Sequence, residues 1–165
     1  MSGYIGSKRS SSLVSFDDGT IGSGVVFPAG HVLQVQNSYS TTDTQKTLTT
    51  SYAAINTSVT LSNLTAGNKI HIQYFTIVDT EDTGGTIYTT VYVDSTTDLS
   101  TPGSQGATRT QDVTSLRFVV AQSGFANFTA TSSSHTFTIY AKNSTAGTIR
   151  DDFIKSQITA MEIQV

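Results

Sequence analysis

The clearest pattern in the chain is the alternation at its end, where Met161, Ile163 and Val165 interleave with Glu162 and Gln164. Successive strand side chains point to opposite faces, so a period of two describes a half-buried strand. The pattern predicts a strand over Ile158–Val165, with Met161, Ile163 and Val165 toward the core and Glu162 and Gln164 toward solvent. A strand at a terminus is held only by pairing within a sheet. The expectation is therefore a domain closed by its own tail, the last strand returning beside the first.

Upstream, short alternating segments follow one another. Val32–Gln36 places Leu33 and Val35 opposite Val32, Gln34 and Gln36, and further strands are expected at Thr47–Ile55 and Ser58–Leu61. Lys69–Val78 is the most regular, with Ile70, Ile72 and Tyr74 on one face and His71, Gln73 and Phe75 on the other. Thr83-Gly84-Gly85 predicts a hairpin turn, because paired glycines supply positive φ angles. Beyond it, Thr86–Asp94 sets Ile87, Val91 and Val93 opposite Tyr88 and Tyr92. A long loop over Ser95–Asp112 then leads to strands at Ser115–Ala121, Phe125–Thr131 and His135–Lys142. Asp151–Lys155 reads as a single helical turn. Eight to ten short strands with Gly-rich turns indicate an all-β sandwich or barrel. A jelly-roll β-sandwich is the first choice of topology and an immunoglobulin-like sandwich the second.

Residues 1–24 read differently. Glycines and the run Ser10-Ser11-Ser12 punctuate them, yet Tyr4, Ile5, Leu13, Val14 and Phe16 are apolar positions that a plain linker does not need. They predict an extended N-terminal arm with hydrophobic anchors, followed by a sandwich over 25–165. The alternative is a leader whose apolar residues have no role.

Composition agrees with the strands. Charged residues make up 13% of the chain, about half the usual share for a globular domain. Ser and Thr, roughly a third of the chain, fill the gap. Net charge is only −3, and seven Tyr and eight Phe accompany abundant Thr, Val and Ile. Those residues fit pleated sheet surfaces and do not describe a disordered chain. The absence of cysteine excludes disulfides, thiol catalysis and thiolate metal sites. No apolar run approaches the roughly 18 residues of a membrane span, and residues 1–15 lack the apolar stretch of a secretory signal. A pI near 5.4 argues against nucleic-acid binding.

Candidate chemistry is sparse, and no enzyme is expected. His31, His71 and His135 share no short metal-ligand spacing. The carboxylates Asp17-Asp18, Asp79 with Glu81-Asp82, and Asp151-Asp152 fall at expected turns or loop edges, where Asp caps the backbone. Two such acids could serve glycoside hydrolysis, and Asp79-Thr80-Glu81-Asp82 offers oxygen ligands to Ca²⁺ without the EF-hand spacing. Solvated turn acids account for all three clusters, and no cofactor is implied. The sequons at Asn56, Asn63, Asn127 and Asn143 are what a Ser/Thr-rich chain produces by chance. Tyr88 and Tyr92 share a face, and such aromatics either pack in a core or subunit seam or stack on sugars.

The segment Gly19-Thr20-Ile21-Gly22-Ser23-Gly24-Val25-Val26-Phe27-Pro28-Ala29-Gly30-His31-Val32-Leu33-Gln34-Val35-Gln36 resembles a module of tailed-phage virion proteins, marine ones in particular. There a Phe-Pro-Ala-Gly-His-Val stretch opens a β-sandwich often labelled tail fibre. Ala160-Met161-Glu162-Ile163 is similar to that module's closing strand, and Met1-Ser2-Gly3-Tyr4-Ile5-Gly6-Ser7-Lys8 to the leader of many such proteins. The resemblance implies a virion structural role without catalytic residues, on the exterior of a phage particle. By analogy with viral jelly rolls it also implies a homotrimer. Lacking heptads or other shaft repeats, the sandwich would sit close to its anchor. That favours capsid decoration or a short head fibre, with the arm binding other virion proteins. A tail-fibre or tail-tip module recognising host-surface glycan is the alternative.

Overall fold

The computed structural model describes residues 28–42, 44–80, 85–100, 108–111, 118–144 and 150–165. Among them are ten strands and no helix: β1 Val32–Ser40, β2 Thr44–Thr47, β3 Ala53–Ser62, β4 Lys69–Thr80, β5 Thr86–Val93, β6 Thr97–Asp98, β7 Thr108–Gln111, β8 Phe118–Thr129, β9 Ser134–Asn143 and β10 Arg150–Ile163. They form two antiparallel sheets. Sheet I runs β1-β10-β4-β8, with β2 continuing the β1 edge along the first part of β10. Sheet II runs β3-β9-β5-β6, with β7 sharing the outer edge of β5.

The terminal strand does return beside the first described strand, pairing Val35 with Met161 and Ser40 with Ser156. It is also longer than the alternation indicated and central, because β4 holds its other edge from Asp151 to Ile163. The expected helical turn at Asp151–Lys155 is strand instead. Backbone pairing to both β2 and β4 outweighs the local turn preference of two adjacent aspartates.

The inward and outward sense of β10 is the reverse of the expectation. Ser156, Ile158, Ala160 and Glu162 are buried, while Met161 and Ile163 are half-exposed and Val165 is exposed. Glu162 retains only 2% of its surface. The period is right and the sense wrong, because polarity stands for exposure only when a polar group lacks partners. Glu162 has three. Its carboxylate accepts from Gln34 Nε2 (2.7 Å), Asn68 Nδ2 (2.8 Å) and the Thr65 backbone N–H (3.0 Å).

Four further expectations are corrected. Thr83–Gly85 does not close a hairpin, since β4 and β5 lie in different sheets; each already has partners on both edges. Thr83 and Gly84 themselves lie outside the described residues. Instead of one strand over Thr47–Ile55 there are two, interrupted between Leu48 and Tyr52. The Ser95–Asp112 loop contains β6 and β7. Phe118–Thr129 is one strand where two were expected, because β8 pairs continuously with β4 through Gly124. Gly124 sits opposite Tyr74, and a Cβ there would lie 2.7 Å from the tyrosine ring.

The core lies between the sheets. Ile70, Ile72 and Val78 of β4 and Ile158 of β10 meet Ile87 and Val91 of β5, and Phe137 and Ile139 of β9. A polar bridge crosses it: the Tyr74 hydroxyl donates to the Thr89 carbonyl (3.0 Å), and Thr89 Oγ1 donates to Gln122 Oε1 (2.7 Å). All three side chains are buried, so the bridge locks one sheet against the other in a fixed register.

Ile158→Ala should cost about 2–5 kcal/mol, the range for truncating a buried isoleucine. Ile163→Ala, on the half-exposed face, should cost clearly less. Gly124→Ala should also destabilise, since Tyr74 has to move or lose its bond to Thr89. Denaturant unfolding of the three variants is the check; a larger loss for Ile163→Ala than for Ile158→Ala would contradict this facing of β10.

Candidate functional site

Three side-chain clusters and one bare surface stand out, and their geometry separates structural duty from availability. The first cluster is the Glu162 knot. Gln34 comes from β1, while Thr65 and Asn68 come from the β3–β4 connection. Gly67 has φ +96° there, a left-handed conformation that glycine adopts without steric cost. Asn68 Oδ1 in turn accepts the Val165 N–H (3.4 Å), and the His31 carbonyl accepts that of Gln164 (2.8 Å). Burial alone would raise the Glu162 carboxyl; the donors from Gln34, Thr65 and Asn68 outweigh it and hold the group below the usual range. With every partner internal, the carboxylate is a tether.

The second cluster joins the β5–β6 turn to the β8–β9 turn. Asp94 and Ser95 have φ near +52° and +60°, and the Thr96 N–H donates to the Val93 carbonyl (3.1 Å), a primed hairpin turn. Asp94 Oδ2 lies 2.7 Å from His135 Nδ1, and Asp94 Oδ1 accepts the Thr136 N–H (2.9 Å). His135 Nε2 accepts from the backbone N–H groups of Thr131 and Ser132, each at 3.2 Å. Nε2 is thus the unprotonated nitrogen, and Nδ1–H donates to Asp94.

Ser132 Oγ is also 3.2 Å from Nε2, which gives the trio the outline of a nucleophile–base–acid set. The hydroxyl, however, donates to the Ser134 carbonyl at 2.7 Å, and the nitrogen lone pair faces two amides. The trio staples two turns. Desolvation opposes ionisation of Asp94, but the Thr136 amide and His135 win and hold its carboxyl below the usual range.

The third cluster lies on the outer face of sheet II. Tyr92 stacks on Tyr140 with centroids 4.1 Å apart, and Tyr52 tilts against Tyr92 at 5.8 Å. Lys142 Nζ sits 4.5 Å from the centre of the Tyr52 ring and 5.2 Å from that of Tyr88. Burial, reinforced by Asp98, pushes the Tyr52 and Tyr92 phenols up. The Tyr52 hydroxyl is buried with no hydrogen-bond partner among the described residues. Tyr88 and Tyr92 therefore face away from the core, both half-buried.

The bare surface is the outer face of sheet I. Cross-strand register sets Val35, Met161, His71 and Asn127 in one row, Gln73 beside Phe125 in the next, and Tyr39, Gln157, Phe75 and Ser123 in the third. Phe125 is 67% exposed, Tyr39 71%, Val119 59% and Val35 51%. Shallow clefts of about 200 Å³ lie beside Phe75, one between Gln73 and Gln157 and one toward Tyr39 and Lys155. Single exposed apolar residues are ordinary; a set spread across four strands is the more informative observation.

The expected arm anchors Tyr4, Ile5, Leu13, Val14 and Phe16 lie outside the described residues. Of the histidines, His71 is on the outer face of sheet I, with Nδ1 2.9 Å from Asn127 Oδ1, and His135 is in the turn staple. Among the described residues no three His, Asp or Glu side chains gather as a metal site. Sequence reading missed Glu162 and Asp94 and gave no facing for Tyr39, Val119 or Phe125. It did set Phe75 opposite the Ile70, Ile72 and Tyr74 face and Tyr88 and Tyr92 opposite Ile87, Val91 and Val93, as the structure has them.

Glu162 and Asp94 carry depressed carboxyl pKa values when folded, so their contribution to stability is complete above the unfolded values. It fades as pH falls through the folded ones. The melting temperature should hold from pH 7 down to about 5 and then decline. Glu162→Gln should cost about 1–3 kcal/mol near neutrality, because a donor amide then faces donors, and its acid decline should be shallower. Calorimetry across pH 2–7 checks both; a silent Glu162→Gln would contradict the tether.

No protein-family model matches the chain, and none of the curated proteins does.

Proposed function

We propose that this chain is a non-enzymatic structural protein on the exterior of a phage particle. It is a jelly-roll β-sandwich, assembled as a homotrimer and held by its N-terminal arm, and it serves as capsid decoration or a short head fibre. The observation that carries the reading is the bare apolar face of sheet I. The Glu162 and Asp94–His135 clusters spend their polar groups on one another, while this broad surface is left for another protein.

The jelly roll is supported by strand order. The sequence β1-β10-β4-β8 in one sheet and β3-β9-β5-β7 in the other alternates early and late strands, as two nested Greek keys do. The arm reading is supported by the five apolar residues of 1–24 and by multivalency, since three weak arms on one assembly bind far more tightly than one. Its partners would be other virion proteins.

The outward placing of Tyr88 and Tyr92 favours a second reading, a tail-fibre or tail-tip module that binds host-surface glycan. Against it, Tyr92 already spends a ring face on Tyr140, and Lys142 lies over Tyr88.

Deleting residues 1–24 should leave the circular dichroism spectrum and melting temperature of the sandwich unchanged while abolishing incorporation into phage particles. Full occupancy by the truncated chain on purified particles would overturn the arm. Tight binding of the isolated full chain to host glycans, lost in Tyr88→Ala, would overturn decoration in favour of the second reading.

A further inference from the structure

We infer that the outer face of sheet I is where copies of this chain meet. The inference rests on the assembly part of the reading above and adds the surface to it. Size is the first consideration. Four strands about 4.8 Å apart and a length of roughly 30 Å give the face an area on the order of 600 Å² before side-chain relief is added. One partner in a stable interface contributes about 800 Å². The flat face alone thus supplies roughly three-quarters of that share, and the relief of its aromatic side chains adds to it.

Chemistry is the second consideration, and it selects the occupant. Val32, Val35, Tyr39, Phe75, Val119 and Phe125 are exposed large apolar residues of this face. Between them stand Asn37, His71, Gln73, Asn127, Gln157 and Thr159, of which His71 already bonds Asn127 (2.9 Å) and Gln73 (3.2 Å) and leaves part of each amide's bonding capacity over. Each neutral group carries both a donor and an acceptor, so the set is complementary to itself. The charged side chains described on this face are Lys69 and Lys155, toward its two ends. Lys69 already donates to Thr129 Oγ1 at 2.7 Å. A strongly charged partner finds little to pair with here, whereas another copy offers the same aromatic rings and amides. Aromatic anchors of this kind supply most of the contact energy at interface centres.

Symmetry is consistent with this placing. Copies related by a closed rotation present the same residues to a common axis. The central rows of the face, with Phe75 and Phe125 next to Gln73 and Gln157, would then meet their equivalents.

Sedimentation velocity of the full chain at micromolar concentration, with Phe125→Lys, Tyr39→Lys and the sheet II control Thr60→Lys, tests the inference. The wild type and Thr60→Lys should sediment as one oligomer. Phe125→Lys and Tyr39→Lys should each weaken association at least tenfold with an unchanged circular dichroism spectrum; both sites are exposed, and either variant suffices if the other misfolds. A wild-type monomer at tens of micromolar would overturn this inference and the assembly reading together, and glycan binding through Phe125 by that monomer would give the face to another ligand. An oligomer that survives both face variants but falls apart with Thr60→Lys would overturn the face while leaving assembly intact.

Discussion

The satisfied burial of one carboxylate governs this fold. An ionised Glu162 without partners would cost too much to bury, and with three donors it becomes the point where β1, β10 and the β3–β4 connection are tied together. Because a strand's facing is a binary choice, fixing Glu162 inward fixes the facing of β10 from Lys155 to Ile163, as far back as the register shift between Phe153 and Lys155. Ile158 and Ala160 enter the core, and Gln157, Thr159 and Met161 turn outward. β10 is the central strand beside β4, so its facing is inherited by the whole sheet through the paired registers. The apolar outer surface follows directly from that tether.

How much of this was legible in the sequence depends on how local the determining contacts are. β4, β5 and β9 could be read because Ile70-His71-Ile72, Ile87-Tyr88 and Phe137-Thr138-Ile139 state their facing through their own burial. The return of the last strand to the first described one was legible for a different reason, since a terminal strand is held only by pairing within a sheet. The facing of β10 was not, since the groups that make Glu162 a core residue lie at Gln34, Thr65 and Asn68, far away in the chain. Nor was the continuity of β8, which was split between Ala121 and Phe125; Gly124 in that gap lies against the ring of Tyr74 and keeps its place in the strand. The acidic stretch Asp151-Asp152 hid half of β10, because strand propensity yields to backbone pairing on both edges.

The two outer faces differ in what they leave unspent. On sheet II the tyrosines and Lys142 stack on one another, and Thr60 Oγ1 pairs with Thr136 Oγ1 at 2.9 Å, so contact chemistry is largely consumed within the chain. On sheet I the cover is thinner: Phe125 lies against the His71 ring with centroids 6.1 Å apart yet stays 67% exposed, and Tyr39 is 71% exposed. A sheet face with exposed apolar groups and its described charges confined to Lys69 and Lys155 suits the proposed building block better than a solvent-facing wall. That contrast is what the proposed assembly face rests on, and alternation alone had hidden it by assigning Met161 and Ile163 to the interior.

The chain has no cysteine of its own, so single cysteines placed along β10 report its facing without background. Thiol labelling of Gln157→Cys, Thr159→Cys and Met161→Cys, set against Ile158→Cys and Ala160→Cys in dilute native protein, is the most direct measurement. Rapid labelling at the three odd positions and strong protection at the two even ones is the expected result, with the odd positions becoming protected as concentration drives assembly. The opposite pattern, with 158 and 160 labelled while 157, 159 and 161 stay protected at every dilution, would contradict the tether at Glu162 and the surface it exposes.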